Sequence, residues 1–297
     1  MTTTTVTPAS FSDCINELGN RFDGLKVSYG TQPEHSCRFD DLITEHSEWR
    51  TTLMRHEAGR CPGLDPKGQV AFLVGDTAHY LLTAVAALYL GEGIMPSLAS
   101  DNLAFMEYDV LWEEIGASGT YQSLEVRLLG SECWAYAPRT LINHAIPVIS
   151  QADLQDLLRR QIERLFQPLI ERLYQLHRLS KTAQWRLVAD ALAFAFLNIG
   201  RQAGVEQHAR EEALALIKHP GSPLFNRQTG FFEITLKDKR SPENVLTRQH
   251  FRARGGCCRY YTSDAAHYCS TCVLLPKEER DKRLSHYLEQ QYNAQSA

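Results

Sequence analysis

The chain lacks an excess of charge of either sign. Its net charge is −4 over 297 residues, with 22% charged and 43% hydrophobic side chains. That balance excludes a disordered polyelectrolyte and a general binder of polyanions. No G-x-G-x-x-G follows a strand-like run, so a nicotinamide or flavin site of that kind is not expected. A P-loop, a nucleophile triad and a metalloprotease His–Glu motif are also missing. There is no internal repeat, and low complexity is confined to the Thr run of "MTTTTVTPAS". That segment has neither a basic nor an apolar region and reads as a short frayed tail, not a signal peptide. The longest apolar stretch, "HYLLTAVAALYLGEGIM", falls short of the about 18 uninterrupted apolar residues of a spanning helix. It reads as a buried helix, so no transmembrane segment and a cytoplasmic location are expected. In that compartment thiols stay reduced, and clustered cysteines point to metal or redox chemistry.

Cysteine is what the chain does have. Of eight, four fall in "GGCCRYYTSDAAHYCSTC": Cys257, Cys258, Cys269 and Cys272. The other four, Cys14, Cys37, Cys61 and Cys133, lack ligand spacing and read as small buried hydrophobes. A C-x-x-C turn brings two sulfurs onto one metal ion. The ten residues between Cys258 and Cys269 allow a loop to return the second pair. Four thiolates suit tetrahedral zinc or an iron–sulfur cluster, not hard ions such as Mg²⁺. Zinc knuckles favour C-x₂₋₄-C on both sides, whereas adjacent side chains on extended backbone point apart. The Cys257–Cys258 pair therefore suits two irons more easily than one zinc, and spacing leaves both open. His267, two residues before Cys269, reads as a solvated neighbour and not as a ligand.

The chain is expected to be α+β in three regions. Residues 1–149 form a mixed N-terminal half with a small sheet. Residues 150–228 form a central helical bundle, and 229–297 a short C-terminal iron–sulfur segment. Short helices are expected at "SFSDCINELGNRF" and around "FDDLITEHSEWRTTLMRHEAG". Turns follow at Pro62-Gly63 and Pro66-Lys67-Gly68, then a strand at "QVAFLV" (69–74) and a helix at 78–91. "NLAFMEYDVLW", "SLEVRLLG" and "ECWAYAP" read as strands. Ser150 caps a long amphipathic helix led by Leu154, which Pro168 should kink or split. Two more helices, 182–200 and 205–218, follow on short connections, so the three should pack as antiparallel neighbours. "TGFFEITL" alternates like a strand. "KDKRSPENVLTRQHFRARGG" reads as a polar basic loop, and the first part of the charged tail after Pro276 reads as a surface helix.

The cysteine segment resembles the C-terminal signature CC-x₁₀-C-x₂-C of ferric-siderophore reductases of the FhuF type. The match covers residues 251–272, with basic residues before the first Cys and the pair Tyr260-Tyr261 after the second. The general layout, with Trp185 in a helical centre, is compatible. One departure is Val273, where family members often carry Pro. The resemblance implies that Cys257, Cys258, Cys269 and Cys272 ligate a [2Fe–2S] cluster. It also implies reduction of Fe³⁺ bound to a siderophore, hydroxamate type first. With no nucleotide motif, electrons are expected from a ferredoxin or a ferredoxin/flavin reductase. Arg252, Arg254 and Arg259, within a basic run from Lys237 through Arg240 and Arg248, are candidates to attract an anionic siderophore or acidic donor. Tyr260 is a candidate for stacking on substrate. Nucleic acid is not an expected partner, since the net charge is negative and no zinc-finger His pair follows. The competing reading is a zinc-stabilised scaffold in which the Cys₄ set only folds the C-terminal segment.

Overall fold

A computed structural model describes residues 10–114, 117–136, 145–239, 241, 243–265 and 267–296. The "MTTTTVTP" stretch and Arg240 of the basic run lie outside these. In chain order the elements are α1 (Phe11–Arg21), β1 (Val27–Tyr29), β2 (Cys37–Arg38), α2 (Glu48–Arg60), α3 (Pro66–Ala86), β3 (Ile94–Pro96), β4 (Leu103–Glu114) and β5 (Ala117–Leu128). There follow β6 (Cys133–Tyr136), β7 (Ile146–Val148), α4 (Gln151–His177), α5 (Lys181–Gln202), α6 (Glu206–Ile217), β8 (Gly230–Lys237), β9 (Val245–Ala253) and α7 (Lys277–Ser296). The fold is α+β, as the sequence pattern predicts.

The long hairpin β4–β5 is antiparallel, with Phe105 opposite Val126. It extends to a sheet of order β1-β5-β4-β2, in which β1 runs parallel to β5. A second sheet has the order β3-β6-β7, and β8–β9 form a separate hairpin. One buried core runs from Phe11 to Leu224 and takes in α1 to α6 together with the first two sheets. The mixed and helical regions thus share one interior. A smaller core under the last hairpin joins Ile234 and Leu236 to Leu284 and Leu288 of α7.

Three local expectations are corrected. "QVAFLV" is not a strand but the second turn onward of α3. Asp65 caps that helix by accepting from the N–H of Gly68 at 2.7 Å, and Pro66 sits at its first position. Pro66-Lys67-Gly68 is therefore a helix start, a role for which the fixed φ of Pro is suited. An apolar run of six cannot by itself separate strand from helix. The basic run is not a loop throughout, since Val245–Ala253 is β9, paired with β8 and placing Phe251 opposite Phe232. Its charges hid the alternation. Of the kink or split expected at Pro168, the split does not occur, since α4 runs unbroken over Gln151–His177. Both Pro168 and Arg164, whose carbonyl Pro168 leaves unpaired, lie on the exposed side, where water can take that carbonyl.

The segment Pro66–Glu92 has the length and apolarity to cross a membrane, but 67% of its most apolar window is buried within the protein. It packs face to face with α5 at the centre of the molecule, and that pair supports the site.

Candidate metal centre

The cysteine loop begins where β9 runs against α5. Gly255 and Gly256 let it come close: a Cβ on Gly255 would sit 1.9 Å from Nδ2 of Asn226. One on Gly256 would meet the main chain of Arg186 and Leu187 at 3.1 Å. Beneath them lies Asp190 of α5, 2% exposed. Its carboxylate accepts from the N–H groups of Gly255 (2.8 Å) and Gly256 (2.9 Å) and from the Thr229 hydroxyl (2.7 Å). It also faces Arg254 Nε at 3.5 Å, while its carbonyl accepts from Arg252 Nη1 at 2.7 Å. A buried charge is tolerated only with such pairing. Asp190 thus fastens the chain just ahead of Cys257.

Beyond Cys258, Arg259 adopts left-handed backbone (φ 60°) and starts a tight turn, Tyr260–Thr262. Its guanidinium forks onto the Asp65 carboxylate, Nε to Oδ1 at 3.1 Å. The cap of α3 therefore also holds the cysteine loop. The Asp264 N–H donates to the Pro62 carbonyl at 2.8 Å, beside Gly63 (φ 77°) in the expected turn. From the other side, Arg283 of α7 donates to the carbonyl of Tyr268 at 2.8 Å.

All eight cysteines are free thiols, and the four scattered ones are buried as expected. The four clustered ones face one another. Cys258 and Cys269 hydrogen-bond each other, and Arg254 Nη1 reaches both sulfurs, at 3.7 and 3.5 Å. Cys257 and Cys272 lie close enough to interact electrostatically. Three sulfurs accept main-chain N–H bonds: Cys257 from Arg259, Cys258 from Tyr260 and Cys272 from Leu274 at 3.5 Å. The thiol of Cys269, then Arg254, hold Cys258 down to about 5 against the cost of burial, and the same bond pushes Cys269 up. The pair carries a thiolate at neutral pH. Burial alone would lower Arg254, but Cys258 and Asp190 outweigh it and hold it charged. Arg252, more deeply set and beside Arg254, is lowered to about 10.

The sulfurs are gathered but not closed around a point: among the described residues no three Cys, His, Asp or Glu side chains adopt metal-ligating geometry. The donor set nonetheless fits a soft metal group. It offers four thiols, three N–H···S bonds and a buried cation that offsets thiolate charge. Val273 is half-buried behind Cys272, and the turn there closes through Cys272 N–H to the Cys269 carbonyl at 3.0 Å.

Cys258 and Cys269 form part of the wall of an open pocket of about 430 Å³. Arg252, Arg254 and Tyr260 line it, as do Phe72, Asp76 and His79 of α3 and Phe194 of α5. Arg252 lies over the Phe194 ring at 5.2 Å, and Tyr260 packs edge-on against His267 at 5.0 Å. Burial lowers the pKa of His79, so its ring is neutral at pH 7. Arg259 does not line the pocket, since Asp65 holds it on the other side of the loop. Arg252 and Arg254 point inward and are not part of a solvated charged face. Sequence reading missed Asp190, Asp65, Asp76 and His79. Asp190 had a signal: it is the single acid inside the apolar run "LVADALAFAF". Comparison with protein-family models, curated proteins and solved structures yields no match to this chain.

Proposed function

We propose that the chain is a one-electron reductase of siderophore-bound ferric iron, with Cys257, Cys258, Cys269 and Cys272 holding a [2Fe–2S] cluster. One observation carries the reading: two of the four sulfurs face a pocket of ligand size, where small-molecule sites run roughly 300–1,000 Å³. The signature shared with the FhuF-type reductases supports it. When bound, such a cluster supplies electrons singly at a potential set by nearby charge and hydrogen bonds.

The residues of the chain have separate tasks. Asp190 and Asp65 hold the loop from two sides. Arg254 compensates thiolate charge. Arg252 presents positive charge to the oxygen-rich face of a ferric hydroxamate, and Phe72, Phe194 and Tyr260 exclude water around it. Oxygen donors that grip Fe³⁺ hold the softer Fe²⁺ far less tightly, so one electron is enough to loosen the iron. The electron comes from an external donor such as a ferredoxin or a ferredoxin/flavin reductase.

The test is anaerobic. Purified protein should be coloured and contain iron and sulfide. After reduction, a ferric hydroxamate siderophore should restore the oxidised spectrum while ferrozine traps Fe²⁺. NADPH alone should give no turnover. A colourless protein with stoichiometric zinc would sink the reading and establish the scaffold instead.

A further inference from the structure

Beside α3, on the face next to the one that lines the first pocket, lies a second pocket of about 330 Å³, lined by Glu57, Arg60, Tyr80 and Glu107 among others. Asp76 belongs to the walls of both pockets. Its carboxylate is bonded to Glu57, 8% exposed at the floor of the second pocket. Arg60 Nη2 joins the two acids, at 2.8 Å to Glu57 and 2.5 Å to Asp76. Two carboxyl groups in contact thus connect a solvent-fed cavity to the cavity that faces the cysteines. Nothing in the electron path assigned above uses them.

We propose that Asp76 and Glu57 form the proton donor of the substrate pocket, delivering to the ligand oxygen the proton that iron release requires. The inference rests on the reductase reading. Its chemistry balances. The ferric complex takes one electron from the reduced protein, the Fe–O bond breaks, and the freed hydroxamate oxygen takes the proton held by Glu57, relayed through the Asp76 carboxylate. Glu57 is reprotonated from water in the second pocket. Without a proton the basic oxygen would recapture the metal. Asp76 touches substrate in this scheme, and Glu57 acts through it.

The electrostatics agree. Burial, then the charge of Asp76, pushes Glu57 up to about 8 against the pull of Arg60, so it holds a proton at neutral pH. The other groups facing the pair are Arg55 and His56 on α2, Cys61 just after it, Tyr80 and His79 on α3, Glu107 on β4 and Tyr121 on β5, with Arg252 of β9 beyond His79. His56 and Glu107 are engaged with each other at 2.5 Å.

The experiment uses full-length reduced protein, a ferric hydroxamate, ferrozine as the Fe²⁺ trap, and ferricyanide as an oxidant that takes an electron and no proton. In the wild type, Fe²⁺ release should slow as pH rises through about 8 and should slow further in D₂O. Ferricyanide should show neither effect. Glu57→Gln and Asp76→Asn should each slow release by about 10²-fold, within the usual range for general acids, and should lose the D₂O effect. Unchanged release and pH profile in both variants would overturn the proton donor and leave the reductase reading standing. Wild-type protein that ferricyanide reoxidises but ferric hydroxamate does not would remove both. Should neither variant fold, a wild-type release rate that is flat from pH 6 to pH 9 overturns the proposal by itself.

Discussion

Asp190 receives two main-chain N–H bonds, a hydroxyl and a guanidinium inside the protein. Asp190→Ala removes one of the two anionic partners of the buried Arg254 and strands the N–H groups of Gly255 and Gly256. The expected cost is about 3–5 kcal/mol, read by urea unfolding. Asp190→Asn keeps the shape but not the charge and should cost less. Glu57 contributes in the opposite sense to a paired carboxylate. Its pKa is raised from the ordinary 4.5 to about 8, so the folded state binds its proton more tightly than the unfolded state. Its stability contribution is complete below about pH 4.5 and is lost as pH rises through about 8. Thermal melting should therefore show the wild type losing stability from pH 6 to pH 9 relative to Glu57→Gln. Equal slopes would show that Glu57 is ionised in the fold.

At the scale of elements, the decisive contact is between α5 and Gly255-Gly256, just after β9. Gly256→Ala pushes a methyl toward helix backbone that cannot move alone, whereas Gly255→Ala meets the side chains of Asn226 and Thr229. Both variants should lower metal content per chain, measured by iron and zinc analysis, with helix content by circular dichroism nearly unchanged. α7 is the second support. Leu284 and Leu288 are 3% exposed beneath the β8–β9 hairpin, and Arg283 holds the loop at Tyr268. Leu284→Ala should cost about 2–5 kcal/mol of local stability, seen as faster amide exchange in β8, β9 and α7. The interior of α3 and α5 should keep its protection.

At the scale of the whole molecule, one large core supports a loop whose own apolar support is small. Loss of the proposed cluster should therefore act locally. Amides of residues 255–275 should exchange faster in metal-free protein, while those of α3 and α5 hold. Much of this architecture was legible in the chain. The Leu154 and Trp185 stripes mark α4 and α5 because a 3.6-residue period has one solution. The four cysteines stand out because their spacing is dense and their compartment is expected to be reducing. Short or charged segments were not legible. "QVAFLV" joined a helix through the Asp65 cap, and the basic run became a strand only because β8 lies beside it.

The sequence by itself determined the amphipathic helices α4 and α5, the α+β class and the set of four thiols, since periodicity and spacing are local properties. Tertiary structure alone decided what surrounds those thiols. Arg259 meets Asp65 across 194 positions, and Arg254 meets Asp190 across 64. Asp76 reaches a pocket whose other wall comes from β9 and the cysteine loop. Such partners are chosen by chain return and burial, which require every buried charge to find its counterpart wherever the fold brings one.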